Sequence, residues 1–107
     1  RYLESTSSDT VRSRSYTGKP ARMLRSAWTE AWEDPNGPGP LGMPLQNILT
    51  AEANARIARS HRKDLAFAPV GQIVGSMNAV RPVRDVMYQL VDEYLDSVNV
   101  LKTTLGE

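Results

Sequence analysis

The clearest pattern in the chain is a helical repeat of apolar residues near its C-terminal end. From Pro82 to about Lys102, large apolar side chains recur at spacings of three and four residues. A proline at the start and an acid, Asp85, in the first turn are typical of a helix beginning. The pattern therefore predicts an amphipathic helix with a solvated polar face. The acidic residues of that face are Asp92, Glu93 and Asp96.

Two further segments show helical spacing in a weaker form. One runs from Pro44 to about Ser60, and basic residues gather at its end, where positive charge complements the helix dipole. The other runs from Pro20 to about Glu33, and a proline is tolerated at a first helical position because its missing N–H would have no partner there. Trp28 and Trp32 lie four residues apart on this helix, which predicts packing in a core rather than stacking on a ligand.

The remaining segments have other patterns. Thr10 to Thr17 alternates weakly, which predicts a short polar edge strand with no evident partner. Residues 34–44 contain four prolines and three glycines, so we predict an ordered, packed loop that buries Leu41 and Met43. Residues 65–77 are mixed and apolar. Together the patterns predict a mainly α chain with at most one or two short strands.

The beginning of the chain suggests that it belongs to a longer polypeptide. Arg1 to about Ser7 reads as the last turns of a helix, and the sequence does not start with methionine. A single strand without a partner is not a sheet, so the elements do not make a convincing independent domain. We therefore expect a fragment that rests on a surface supplied elsewhere. The rival interpretation is a self-contained helical interaction module.

Composition narrows the possible functions. The 107 residues include no cysteine, which excludes disulfides, thiolate metal sites and cysteine nucleophiles. The net charge of +1 gives no global field for nucleic acid or a membrane surface. No apolar run approaches the ~18 residues of a membrane span, so we expect a cytoplasmic protein without a membrane partner. His61 is the only histidine, which excludes a histidine metal cluster, and we expect it to be exposed at a helix end.

The most distinctive motif is YTGKPAR, from Tyr16 to Arg22. Gly18 supplies the conformational freedom for a turn at this corner. Five basic residues lie nearby with no acid between them, so the corner suits either an anion or solvent. Nucleic acid is disfavoured, because Tyr16 is the only aromatic residue that could stack on a base. The basic residues are Arg12, Arg14, Lys19, Arg22 and Arg25.

A second motif lies at Gly71 and Gln72 in the segment APVGQIVGSM. Gly71 permits a close approach of the backbone, and Gln72 offers both a hydrogen-bond donor and an acceptor. A short helix starting here would point its N–H groups and the Gln72 amide at the polar edge of a ligand. The equally weighted alternative is that Gly71 and Gly75 only let the helix pack tightly against a neighbour.

Together with the closing amphipathic helix, these two motifs resemble the C-terminal third of the nitronate monooxygenase family. That family, once called 2-nitropropane dioxygenases, includes related FMN-dependent enoyl-reductase-like proteins. The string YTGKPAR and the segment from Pro69 to Gly75 carry the likeness in their order and spacing. The resemblance implies a TIM barrel that binds FMN, with a small and mostly helical second domain inserted late in the sequence.

The resemblance also divides the chain and assigns residues. Residues 1–9 would end a barrel-side helix, 10–64 would form the small substrate-side domain, and 65–107 would return to the missing barrel and pack on it. Gly71 and Gln72 would contact FMN. The residues that would line the substrate pocket are Met43, Pro44, Leu45 and Gln46.

The family's catalytic histidine and phosphate loops match no segment of this chain, and His61 does not share that histidine's context. The resemblance therefore implies no catalytic residue and no metal here. The implied activity is the oxidation of alkyl nitronates, small-molecule substrates, with FMN and dioxygen. FMN-dependent enoyl reduction is the alternative. The chain alone is expected to bind no FMN and to show no turnover.

Overall fold

The structure, a computed structural model, describes residues 1–106 and is mainly helical with one two-stranded sheet, which confirms the predicted secondary-structure class. No helix among these residues is long and apolar enough to cross a membrane. The elements, in chain order, are a 3-10 helix at Tyr2–Glu4, a second at Ser7–Asp9, strands β1 (Thr10–Ser13) and β2 (Ala21–Leu24), helices α1 (Ala27–Glu33) and α2 (Leu45–Ser60), a 3-10 helix at Gln72–Ser76 and helix α3 (Val83–Leu105).

Strands β1 and β2 form an antiparallel hairpin in which Thr10 lies opposite Leu24. The prediction of a helix from Pro20 was wrong over its first half, because Ala21–Leu24 pairs with β1 on one side. The predicted strand is also shorter than Thr10 to Thr17, and it does have a partner. Gly18 has a φ of 88° and its N–H donates to the Arg14 carbonyl (2.9 Å), which closes the turn between the strands.

A third stretch of backbone covers the other edge of β2. The Leu24 N–H donates to the Ala68 carbonyl (2.9 Å), and the Val70 N–H donates to the Arg22 carbonyl (3.2 Å). Met23 and Leu24 are consecutive, so their side chains point to opposite faces of the strand, and both are buried. Both faces of β2 are covered, so the alternation expected of a half-exposed strand is lost.

Helix α1 begins only after Ser26, which caps it. The Ser26 Oγ accepts the Thr29 N–H (3.3 Å), and the Thr29 hydroxyl accepts the Ser26 N–H in return (2.9 Å). Trp28 and Trp32 are half-buried, with ring centroids 6.0 Å apart and tilted planes. The two rings pack against each other, but neither lies in the buried core that the sequence predicted for them. The helix ends at Asp34, before Pro35.

Helix α2 follows the predicted bounds, but its first turns bury polar rather than apolar side chains. Its buried residues are Gln46 and Thr50, whereas Leu45, Ile48 and Leu49 are exposed. At the start of the helix, polar residues therefore face the hairpin and apolar residues face outward, whereas Ala53 and Ile57 further along are half-buried. The helix ends at His61, which is exposed and has a φ of 54°, as expected for a residue at a helix end.

The loop before α2 leaves Leu41 and Met43 exposed, so the prediction that it buries these two side chains was wrong. The reason lies in the packing of its backbone. A Cβ placed on Gly18 would lie 2.5 Å from the Met43 nitrogen and 2.8 Å from the Leu41 carbonyl oxygen. The loop thus contacts the hairpin turn through main-chain atoms, and its apolar side chains point away.

The 3-10 helix at Gln72–Ser76 contacts both 3-10 helices at the start of the chain. Residues 2–9, expected as the end of a helix, form two 3-10 turns on which the Gln72–Ser76 helix packs. A Cβ on Gly75 would lie 3.3 Å from the Ser7 nitrogen, so this glycine permits a close approach. Val74 is buried beside it. The assignment of residues 1–9 to a barrel side stays a prediction.

Helix α3 confirms the helix predicted from Pro82, and its apolar face is largely uncovered. Nine large side chains of this apolar face are between 39% and 79% exposed, and the acidic face is exposed as predicted. The radius of gyration is 18.9 Å, whereas a compact chain of this length has about 13 Å. The nine residues are Val83, Val86, Met87, Leu90, Val91, Tyr94, Leu95, Leu101 and Leu105.

Candidate functional site

The four predicted pocket residues lie at the start of α2 and just before it. Pro44 is the N-cap and Leu45 the first helical residue, and the side chains of Met43 and Leu45 are both more than half exposed. These two side chains are accessible to a ligand. The packing of Gly18 against residues 41–43 fixes the backbone from which they project.

Gln46 differs from its three neighbours because its side chain is fully buried, at 0% exposed. Its Nε2 donates to the Ser15 carbonyl (2.8 Å), and its Oε1 accepts the Leu41 N–H (2.9 Å). Both ends of the amide are therefore engaged inside the protein. In this structure Gln46 holds the loop, the hairpin turn and α2 together, and its predicted contact with a substrate stays a prediction.

Gly71 and Gln72 lie at the start of the short 3-10 helix, on a different element from the pocket residues. Both are exposed, and Gly71 is extended, with a φ of −80° and a ψ of 175°. A Cβ on Gly71 would meet only the Ile73 Cγ2, at 3.9 Å. The fold itself therefore does not require glycine here, which distinguishes Gly71 from Gly75.

Two surface cavities among residues 1–106 are notable, and neither is lined by any of the six predicted site residues. The larger, about 450 Å³, is lined by Arg12, Ser13, Arg14, Pro20, Glu33 and Pro40. The smaller, about 220 Å³, is lined by Tyr16, Asn54, Ile57, Ala58, Ala66 and Phe67. Tyr16 and Phe67 stack in parallel beside it, with centroids 3.8 Å apart. Among residues 1–106, no cluster of histidine and acidic side chains is placed to hold a metal ion.

In the basic corner, the Arg14 and Arg22 side chains are both hydrogen-bonded within the protein, Arg14 through its Nε to the Gly18 carbonyl (3.1 Å). The Arg22 guanidinium donates to the Thr10 hydroxyl (2.8 Å), so that side chain is part of the hairpin. Arg12 and Arg14 are two residues apart, and the alternation of an extended chain places them on the same outer face, where both line the larger cavity. Ser13, between them, points inward and is buried.

A buried polar seam joins the hairpin to α1 and α2, and no pattern in the sequence predicts it. The Ser15 carbonyl accepts hydrogen bonds from the Trp28 Nε1 (3.3 Å) and the Gln46 Nε2 (2.8 Å). The Ser13 hydroxyl donates to the Glu33 Oε1 (2.7 Å) and accepts the Ser15 N–H (3.0 Å). The turn after β1 is thus the point at which both helices attach.

Among residues 1–106, the Ser15 hydroxyl is buried without a hydrogen-bond partner, in contrast to that of Ser13. An unpaired buried hydroxyl is a cost, so Ser15→Ala is expected to leave the free energy of unfolding unchanged or to raise it by up to about 1 kcal/mol. Ser13→Ala removes two hydrogen bonds and is expected to lower it by about 1 to 2 kcal/mol. Urea denaturation of both variants tests the pair, and an equal loss in both would contradict the assignment.

Two carboxylates have lowered pKa values, each from a local hydrogen bond. The Thr6 N–H (2.7 Å) and then its hydroxyl (2.9 Å) lower the pKa of Asp9. The Arg62 guanidinium donates to both oxygens of Asp64 and lowers the pKa of Asp64 from 3.8 to about 2. Both groups are exposed and form part of the surface.

The lowered pKa of Asp64 predicts that the free energy of unfolding depends on pH. Its folded pKa lies below its unfolded pKa, so its stabilising contribution is present above pH 3.8 and is lost as the pH falls towards about 2. In Asp64→Asn this contribution is absent at every pH. The variant's free energy of unfolding should therefore fall less steeply than that of the wild type between pH 4 and pH 2. Parallel profiles from urea denaturation would rule out a role for the Arg62 pair.

Comparison with known proteins gives one informative relative. The chain is 49% identical over 108 aligned positions to a protein of Mycobacterium tuberculosis named "Putative monooxygenase Rv1533". The match covers 95% of this chain and 29% of that relative, so the chain spans under a third of the relative's length. No family model matches the chain. No solved structure matches it either.

Proposed function

We propose that this chain is the C-terminal part of an FMN-dependent oxidoreductase of the nitronate monooxygenase type, which oxidises alkyl nitronates with dioxygen. The observation that carries the proposal is the 49% identity, over 95% of the chain, to a protein named as a monooxygenase. The motifs YTGKPAR and Gly71–Gln72 support the narrower family assignment.

The uncovered face of α3 supports the idea that the chain rests on another part of the same protein. Leaving this many apolar side chains in water forfeits about 25 cal/mol for each Å² that could be buried. The mycobacterial relative extends well beyond the matched part, so a comparable protein has room for a barrel. The proposed partner is that barrel, with residues 65–107 packed on it and residues 10–64 as the substrate-side domain.

The residues at Gly71 fit one edge of FMN but not the whole cofactor. The exposed Gln72 amide can donate and accept hydrogen bonds, and the open space around Gly71 would admit a flat ring. Two residues on one short 3-10 helix cannot enclose the cofactor or hold its phosphate. The flavin supplies the electron-transfer chemistry when bound, and this chain's contribution would be contact and orientation.

The residues before α2 fit the role of an apolar wall. Met43 and Leu45 project outward from a backbone held by Gly18, and an apolar wall excludes water from a flavin site. Gln46 would act as a positioning residue, because its buried amide holds the Leu41 N–H. No described residue is assigned a proton-transfer step.

The complete reading frame that contains this chain provides the test. The purified protein is expected to carry stoichiometric FMN, seen as a flavin absorption spectrum, and to consume dioxygen with an alkyl nitronate. The 107-residue chain alone should bind no FMN. Turnover of an enoyl thioester with reduced nicotinamide, and none of nitronate, would favour the enoyl-reductase alternative. A frame that encodes no barrel would favour the interaction module.

Gly71→Ala tests the proposed cofactor contact in the same protein. The substitution should leave folding intact, because φ is −80° and the new Cβ meets only Ile73 at ordinary distance. It should lower the FMN content, because the methyl group occupies space next to the flavin. Ser76→Ala, at the other end of the same 3-10 helix and exposed, is the matched control. Equal flavin content in both variants would remove Gly71 from the site.

A further inference from the structure

We propose that the larger cavity is a binding site for a small zwitterion of the α-amino acid class. Its lining brings two arginines, Arg12 and Arg14, and one carboxylate, Glu33, to the same depression of the surface. The carboxylate of the ligand would face the guanidinium groups, and its ammonium group would face Glu33. The volume of about 450 Å³ is within the range of small-molecule sites.

The three charged side chains of this cavity are not paired with one another. Neither arginine forms an ion pair with Glu33 or with any other acidic residue that the structure describes. Opposite charges that line one cavity without meeting leave room for a ligand that carries both charges. Glu33 repels a plain anion and the arginines repel a plain cation, so charge complementarity favours the zwitterion.

Two of the three charged groups are held in place by hydrogen bonds. The Arg14 Nε donates to the Gly18 carbonyl (3.1 Å) and its Nη2 to the Leu41 carbonyl (3.5 Å), which leaves Nη1 without a partner among residues 1–106. The hydroxyl of Ser13, a residue only 2% exposed, donates to the Glu33 Oε1 (2.7 Å), and Oε2 has no partner among the same residues. Because these side chains are already ordered, binding a ligand costs less conformational entropy.

The uncharged wall of the cavity consists of two prolines, Pro20 and Pro40. Their rings are apolar and have almost no rotamer freedom to lose when a ligand contacts them. Such a wall suits a short aliphatic side chain, because the contact removes apolar surface from water on both partners. We therefore choose L-valine as the probe.

The test uses the protein encoded by the complete reading frame, so it does not depend on whether the 107 residues fold alone. Amide chemical shifts of the isotope-labelled protein are followed during titration with L-valine at about pH 7, where both of its charges are present. 3-Methylbutanoate is the same molecule without the ammonium group, and isobutylamine is the same molecule without the carboxylate. Valine should shift the amides of residues 12–14 and Glu33 and bind at least about fivefold more tightly than either control.

Glu33→Gln distinguishes a zwitterion site from a plain anion site. Glutamine keeps an oxygen that accepts the Ser13 hydroxyl but loses the negative charge. The variant should weaken valine binding about fivefold and tighten 3-methylbutanoate binding about twofold. Glu30→Gln, on the same helix, exposed and outside the cavity, is the matched control and should change neither affinity by more than about twofold.

Arg12→Gln removes a positive charge from the other side of the site. It should weaken the binding of valine and of 3-methylbutanoate alike, each by about fivefold, because both ligands carry the carboxylate. Arg25→Gln changes another exposed arginine of the basic corner, one that does not line the cavity, and should alter both affinities by less than about twofold.

Several results would overturn the proposal. 3-Methylbutanoate or isobutylamine binding as tightly as valine would show that only one charge is recognised. Tighter valine binding in Glu33→Gln would show that this carboxylate opposes the ligand. Equal weakening by Arg25→Gln and Arg12→Gln would indicate a diffuse effect of the basic surface. Valine that shifts no amide of residues 12–14 would mean that the complete protein does not use the cavity. Failure of the flavin test leaves all of these outcomes unaffected.

Discussion

Gly18→Ala is expected to destabilise the protein by about 2 to 5 kcal/mol, or to abolish its cooperative unfolding transition. Gly18 has a φ of 88°, a conformation that costs an alanine about 1 to 2 kcal/mol. The added Cβ would also lie 2.5 Å from the Met43 nitrogen, 2.6 Å from the Gly42 carbonyl carbon and 2.8 Å from the Leu41 oxygen. These are main-chain atoms, so no side chain can rotate to relieve the overlap.

Gly42→Ala is the matched control, because Gly42 belongs to the same contact but has open space around its Cβ position. Its effect on the free energy of unfolding should stay within about 0.5 kcal/mol. Urea denaturation followed by circular dichroism measures both variants. A Gly18→Ala protein as stable as Gly42→Ala would mean that the loop and the hairpin turn do not touch in solution.

This contact shows what the sequence could and could not predict about the YTGKPAR corner. A glycine followed by Lys19 and Pro20 indicates a turn, and a turn is present. The partner of the turn, residues 41–43, lies more than twenty positions later, and no local pattern connects the two. The long loop was predicted to be packed, but the packing is through its backbone rather than through Leu41 and Met43.

Strand β2 was missed because its residues also fit a helix. Met23 and Leu24 continue the spacing of Trp28 and Trp32, and Pro20 is a normal helix start. Long-range pairing makes this segment a strand, because the main chain of β2 is hydrogen-bonded to backbone on both of its edges. The bounds of helices α2 and α3 were predicted correctly because their periodic segments are long, although the buried residues of α2 are polar.

The sequence predicted which residues belong to the candidate site but not which of their side chains are exposed or what they contact. Met43 and Leu45 are accessible, whereas Gln46 is buried. The sequence alone does not indicate whether a glutamine beside apolar residues is buried or exposed. The seam at Ser13 and Ser15 is invisible in the sequence, because serines in a polar stretch read as solvent-exposed. Buried polar groups become evident only when their hydrogen-bond partners are known.

Gln46→Ala is expected to destabilise the protein by about 2 to 4 kcal/mol. The substitution empties a fully buried site and removes both hydrogen bonds of the amide. The Ser15 carbonyl keeps the Trp28 Nε1 as a donor, but the Leu41 N–H loses its acceptor. The main cost is therefore the unpaired backbone N–H together with the cavity left by the side chain.

Asn47→Ala, the next residue on α2 and exposed, is the matched control and should cost less than about 1 kcal/mol. Hydrogen exchange of the Leu41 amide gives a second, local readout, since this N–H is protected by the Gln46 Oε1 alone among the described groups. Protection should be lost in Gln46→Ala and kept in Asn47→Ala. Retained protection in Gln46→Ala would mean that the loop is held by other contacts, and the positioning role of Gln46 would then be wrong.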